Sequence, residues 1–261
     1  MQLAVRGTLA AIAVGGLLVI GSVAPTLAAQ VPSPLAPEVN GAVGARPCAA
    51  TRTAAKDNGV ASLRKLGDCE IDRRLDTITK LKGRVANASV LTDADRATLQ
   101  SQLTADTSGL TALRAQIDGE TDITALRADL KKIVTDFRIY LLMAPKTAAV
   151  IAAETELAAV ARLGTVNTKL QARIDAAAAA GKDVTQAQAD LDAMNAKVVQ
   201  VSPLVQGIPA AVLPLTPTQF NDGTAKPILA SSRTSLRAGR GLLAGARADA
   251  RACAAALRAI H

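Results

Sequence analysis

Of the 261 residues only three are aromatic, Phe137, Tyr140 and Phe220, and there is no tryptophan. Any core this chain builds must therefore be filled by Leu, Ile, Val and Ala. Ala with Leu, Arg, Lys and Gln is also the set with the best intrinsic helix propensity. Small side chains let helices approach closely and leave little room for an enclosed pocket.

The spacing of the apolar residues agrees with that bias. Ile71, Leu75, Ile78, Leu81 and Val85 recur at three- and four-residue steps, which is one face of a helix. Thr92-Asp93-Ala94-Asp95 has the form of a capping box with Asp in place of Glu or Gln, and Leu99, Leu103, Leu110, Leu113 and Ile117 follow at helical spacing. After Asp118-Gly119-Glu120-Thr121-Asp122, the series Leu126, Leu130, Ile133, Phe137, Tyr140 predicts another helix, which Pro145 is expected to end or kink. Val150 to Ile174 predicts a further helix stopping at Gly181, and Leu191, Met194, Val198 and Val201 predict one capped by Asp183 or Thr185.

Ser202 to Pro227 holds Pro203, Pro209, Pro214, Pro217 and Pro227 together with Asn221-Asp222-Gly223, and reads as an irregular crossover on the surface. A final helix is expected from Ile228 to Ile260. Near the start, Cys48 to Lys56 forms a short helix ended at Asp57-Asn58-Gly59, and Gly67-Asp68 is a second expected break. Helical segments with short connections and no strand candidate predict an all-α fold, an elongated antiparallel bundle over residues 48–261 with coiled-coil-like packing.

The first residues have a different character. Arg6 precedes an uncharged run from Leu9 to Val23, and Pro25-Thr26-Leu27-Ala28-Ala29 adds a helix breaker and small residues. That layout predicts a secretory signal peptide over residues 1–29, with an uncleaved N-terminal anchor as the alternative. Residues 30–47 (QVPSPLAPEVNGAVGARP) lack apolar periodicity and are expected to be a disordered Pro/Ala-rich linker.

The inventory for chemistry is thin. The single histidine is His261, at a helix end that cannot hold a general base in place. The carboxylate pairs Asp93/Asp95, Glu154/Glu156 and Asp190/Asp192 are two residues apart, so on a helix they point about 200° apart and do not converge. Asp118 to Asp122 lacks the length and spacing of a calcium loop and reads as a turn. No catalytic residue, metal site or cofactor is expected. Three cysteines in an exported chain suggest one disulfide and one odd thiol. Cys48 and Cys69 flank Asn58-Gly59 symmetrically, so a hairpin there would join them; in one straight helix they would sit about 30 Å apart. Cys69 with Cys253 is the alternative.

Charge is concentrated at the end of the chain. Against a formal net charge of +8, residues 225–261 alone hold seven basic side chains and one acidic one, Asp249. At 100° per residue Arg233, Arg237, Arg240, Arg247, Arg251 and Arg258 fall within an arc of about 80°, beside an apolar arc carrying Leu236, Leu243, Cys253 and Leu257. Arginine suits phosphate through its fixed fork of donors. The stripe is thus a candidate anion-binding face, for anionic cell-wall polymers or lipid headgroups; the plain alternative is a solvated face, or one paired with acidic groups of a neighbouring helix. Without interleaved aromatics to stack on bases, sequence-specific nucleic acid is not the expected partner.

The stretches Ile71-Asp72-Arg73-Arg74-Leu75, LTDADRATL, GLTALRAQID, IVTDFRIYLLMAPK and AAETELA resemble a family of uncharacterised secreted helical proteins of high-GC Gram-positive bacteria. The likeness spans about residues 69–260, is most specific over Ile133 to Lys146, and implies fold and export but no activity. A looser similarity links Leu91 to Asp95 with the LTxxQ motif of small periplasmic chaperones, although Asp95 stands where Gln is expected. The expectation is a secreted, cell-envelope-associated structural or interaction module, with an extracytoplasmic holdase-like chaperone as the alternative and an enzyme as the third reading.

Overall fold

The computed structural model describes residues 48–57 and 59–260. The expected signal peptide and linker lie outside the described residues, as do Asn58 and His261. Among the described residues every regular element is helical. The long helices form two successive groups of three.

The first group comprises α2 (Val60–Asn87), α3 (Asp93–Gly119) and α4 (Ile123–Thr135), preceded by α1 (Ala49–Ala54) and a short 3₁₀ turn (Ala55–Asp57). Ile71, Ile78 and Val85 of α2, Leu99, Leu103, Leu110 and Ile117 of α3, and Leu126 and Ile133 of α4 are fully buried. Each contributes about 2–3 kcal/mol of apolar burial. Thr92 caps α3 by accepting from the Asp95 N–H at 3.1 Å, and Asp122 caps α4 by accepting from Ala125 at 2.7 Å. Arg96 then joins the two ends of the α2–α3 turn: its guanidinium donates to the carbonyls of Val85 (2.6 Å), Ala86 (3.1 Å) and Ala88 (2.9 Å). Those are carbonyls that the end of α2 leaves without helical partners, and a cation there also complements the helix dipole.

Two expected breaks fall elsewhere. α2 runs unbroken through Gly67-Asp68, because Gly67 is a packing position: a Cβ there would lie 3.0 Å from Leu130 and 3.1 Å from Ile117. The helix carrying Leu126 to Ile133 ends at Thr135, not at Pro145. Arg138 adopts a left-handed conformation (φ 41°), a π turn follows over Ile139–Met143, and Pro145 sits in the first turn of α5 (Ala144–Ala179). A proline in that turn needs no N–H partner, and the wide π turn before it removes the clash with the preceding carbonyl. Tyr140, read as inward-facing, is consequently 37% exposed.

The second group is α5, α6 (Thr185–Val198) and α10 (Ala225–Ala259). Gly181 (φ 72°) reverses the chain after α5, with the Lys182 N–H donating to Ala177 O at 3.1 Å. Asn167–Asn195 and Gln171–Gln188 hydrogen bonds fix α5 and α6 antiparallel. The proline-rich segment between α6 and α10 is neither irregular nor superficial. It folds into α7 (Val201–Val205), α8 (Ile208–Val212) and α9 (Pro217–Asn221), and buries Val201, Val205, Ile208, Val212 and Leu215. Pro209 and Pro217 stand in first turns, where proline is compatible with helix, so the segment's apolar residues still reach the core. This crossover returns the chain so that α10 runs parallel to α5.

Candidate anion-binding face

The inward residues of α10 fall in two interleaved series of seven-residue steps: Leu229, Leu236, Leu243, the half-buried Ala250 and Leu257, and, offset by three places, Ala225, Ser232, Gly239, Ala246 and Cys253. The second series is small throughout, which lets neighbouring helices approach the α10 backbone. This register leaves the arginines on the adjoining flank. Arg233, Arg237, Arg247, Arg251 and Arg258 are exposed. Arg251 and Arg258 steady their side chains by donating Nε to the carbonyls of Arg247 and Ala254, both at 3.1 Å.

Arg240 differs from the other five. It is 32% exposed, and its Nε lies 3.4 Å from Oε1 of Glu156, a carboxylate on α5 that is only 4% exposed. The other ion pair of α10 is Lys197–Asp249 at 2.6 Å, which neutralises the acidic residue of this helix. Among the described residues, the five exposed arginines have no carboxylate partner. They span about 37 Å of helix, with a gap of about 15 Å between Arg237 and Arg247 where Arg240 would otherwise project.

Sequence placed Glu156 only in the non-converging pair Glu154/Glu156, although its position carried a further signal. It falls in register with Ala149, Ala152, Ala153, Ala159 and Leu163, all buried, so an acidic residue occupies an inward position. Burial pushes its carboxyl up to about 7 against the lowering effect of Arg240. A Cβ on residue 239 would lie 2.2 Å from Glu156 Oε2, so glycine at that position makes room for the carboxylate. Lys146 is a second inward charge, in register with Met143 and Val150. Its ammonium donates to Gln102 Oε1 (3.0 Å), Leu213 O (3.1 Å) and Leu215 O (2.6 Å), tying α5 to α3 and to the end of α8. Burial lowers its pKa to about 8, partly countered by Asp106, whose own carboxyl is raised to about 6 by burial.

The remaining sequence candidates are placed as follows. Cys48 and Cys69 are joined in a disulfide (Cα–Cα 5.8 Å) that pins α1 onto α2, and Cys253 is a buried free thiol. Beside the disulfide, Glu70 accepts from Arg52, from Arg73 (3.3 Å) and from Arg74 (2.9 Å). Burial raises the Glu70 carboxyl, but the hydrogen bonds from Arg74 and Arg52 outweigh it and hold the pKa below the usual value. In the Asp118–Asp122 turn, Glu120 Oε1 accepts from the N–H groups of Thr121 and Asp122, so these oxygens serve backbone donors.

A groove of about 440 Å³ runs between α7–α8 and the start of α10, with Leu204, Ile208, Ile228, Ser231 and Ser235 in its lining. Its lining contains no ionisable side chain, so it offers no acid or base. No helix among the described residues is long and apolar enough to cross a membrane. No protein-family model matches the chain, and comparison with curated proteins and with solved structures finds no match.

Proposed function

We propose that this protein acts outside the cytoplasmic membrane as a non-catalytic module of the cell envelope, and that α10 binds an anionic polymer or a surface of lipid headgroups. The observation carrying this reading is the row of five exposed arginines within an arc of about 80°, without carboxylate partners. A row some seven turns long matches an extended polyanion better than a single phosphate, since successive charges engage successive sites along the helix. Attraction of this kind is screened by salt, so binding weakens steeply with ionic strength. The test is retention of residues 30–261 on isolated cell walls and on phosphatidylglycerol vesicles, beside a variant with Arg237, Arg247, Arg251 and Arg258 changed to Gln. The variant is expected to bind at least about tenfold more weakly, with a shallower salt dependence. Equal retention of the two proteins would remove the reading.

The groove beside α8 supports a second reading, an extracytoplasmic holdase-like chaperone that covers apolar segments of unfolded clients. Suppression of client aggregation that is lost on Ile228→Glu and unaffected by the arginine changes would favour it over the first.

A further inference from the structure

We propose that Glu156 and Arg240 form a releasable clasp that holds one arginine out of the α10 row and returns it to the row when Glu156 is protonated. The inference rests on the anion-binding reading and adds its regulation. Three observations support it. Arg240 occupies the middle of the arc, inside the gap between Arg237 and Arg247, so its withdrawal divides the row into Arg233/Arg237 and Arg247/Arg251/Arg258. The pair is incompletely satisfied: both carboxylate oxygens of Glu156 and the Nε and Nη2 of Arg240 are buried without a hydrogen-bond partner, and their closest ion-pair distance is 3.4 Å. The carboxylate is seated where α10 has no side chain, against Gly239, and Val205 of α7 approaches the same position.

What holds Arg240 inward is attraction to one charge. Of the groups facing Glu156 from α5, α7 and α10, Arg240 is the one whose charge acts on it; Gly239 and Val205 bring none. An ionised Glu156 compensates Arg240 for its partial loss of water. A neutral Glu156 does not, and a guanidinium with unpaired donors then gains by swinging into solvent, where Arg is already placed to join its neighbours. Burial sets the Glu156 carboxyl near 7, so the change falls in mildly acidic conditions. An anionic polymer and a proton therefore bind cooperatively, each favouring the released arginine.

The test is binding of residues 30–261 to phosphatidylglycerol vesicles, whose phosphodiesters do not titrate in this range, at pH 6 and pH 8. The native protein is expected to bind on the order of tenfold more tightly at pH 6. Glu156→Gln should bind tightly at both values, and Arg240→Gln weakly at both. His261 and the terminal amine are common to all three proteins, so the difference between them isolates the pair. Native binding with the same acid gain in Glu156→Gln would overturn the clasp while leaving the arginine row intact. If no protein binds at either pH, the anion-binding reading fails instead. The clasp is then decided by carbon-13 NMR titration of the Glu156 carboxyl: a midpoint near 7 that rises in Arg240→Gln upholds the pair, and an ordinary carboxylate midpoint overturns it.

Discussion

The Lys146 ammonium lies 2.6 Å from the carbonyl oxygen of Leu215, 69 residues away in sequence, and fastens the middle of the proline-rich crossover, between α8 and α9, onto the first turn of α5. With Gln102 of α3 bonded to the same ammonium, one side chain links both helical groups. Lys146→Met leaves Leu215 O and Gln102 Oε1 without this donor, and is expected to cost about 2 kcal/mol. An unchanged urea midpoint would show that the clamp contributes nothing.

Lys146 also predicts a pH dependence at the alkaline end. Its folded pKa, about 8, is below its ordinary value of 10.5. Between those values the unfolded chain binds the proton and the folded one releases it, so stability from this group rises with pH from 8 to 10.5. Thermal melts across that window should show the rise in native protein and not in Lys146→Met.

Glu156 has the opposite effect in the acid range. Its folded pKa, about 7, is above the ordinary 4.5, so between pH 4.5 and 7 the folded state holds the proton that the unfolded state has lost. Stability from this group is full below 4.5 and declines as pH rises to 7. Relative to native protein, Glu156→Gln should therefore gain about 3 kcal/mol between pH 4 and pH 8, measured by urea denaturation at each. A constant difference would refute the shifted carboxyl.

Two glycines in helices should respond in opposite directions. A Cβ on Gly109 would lie 2.6 Å from the Phe137 ring, whereas one on Gly164 meets nothing within 4 Å. Gly109→Ala is expected to destabilise by about 1–3 kcal/mol through overpacking at the start of the π turn. Gly164→Ala should stabilise by about 0.5–1 kcal/mol through helix propensity alone. Equal effects on the melting temperature would contradict the packing at Gly109.

The Cys48–Cys69 disulfide closes a segment with a sequence separation of 21. Reduction, or Cys48→Ser with Cys69→Ser, is expected to cost about 3 kcal/mol by releasing that loop in the unfolded chain. Peptide mapping without reductant should recover this pair and a free Cys253. A Cys69–Cys253 peptide would instead require α2 and α10 to meet.

Helical spacing alone determined the all-α class and the faces of α2, α3 and the long C-terminal helix, because a repeat of three and four residues places side chains on one side of any helix wherever it packs. The arginine arc was legible for the same reason. Tertiary structure decided what local patterns leave open. Pro145 reads as a stop in isolation; the left-handed Arg138, held by Asn221 at 2.6 Å from across the fold, moves the break upstream and makes the proline a helix start. Prolines marked Ser202 to Pro227 as a surface loop, yet Val205, Ile208 and Val212 had a core within reach, and burying them outweighed the cost of the turns. Gly67 and Gly239 look like weak points until Ile117 and Glu156 are seen to occupy the space their missing side chains leave. The sorting of the six arginines was beyond sequence altogether: which one turns inward depends on a carboxylate on α5, 84 residues earlier, and only the packing of α10 against that helix brings Glu156 to Arg240.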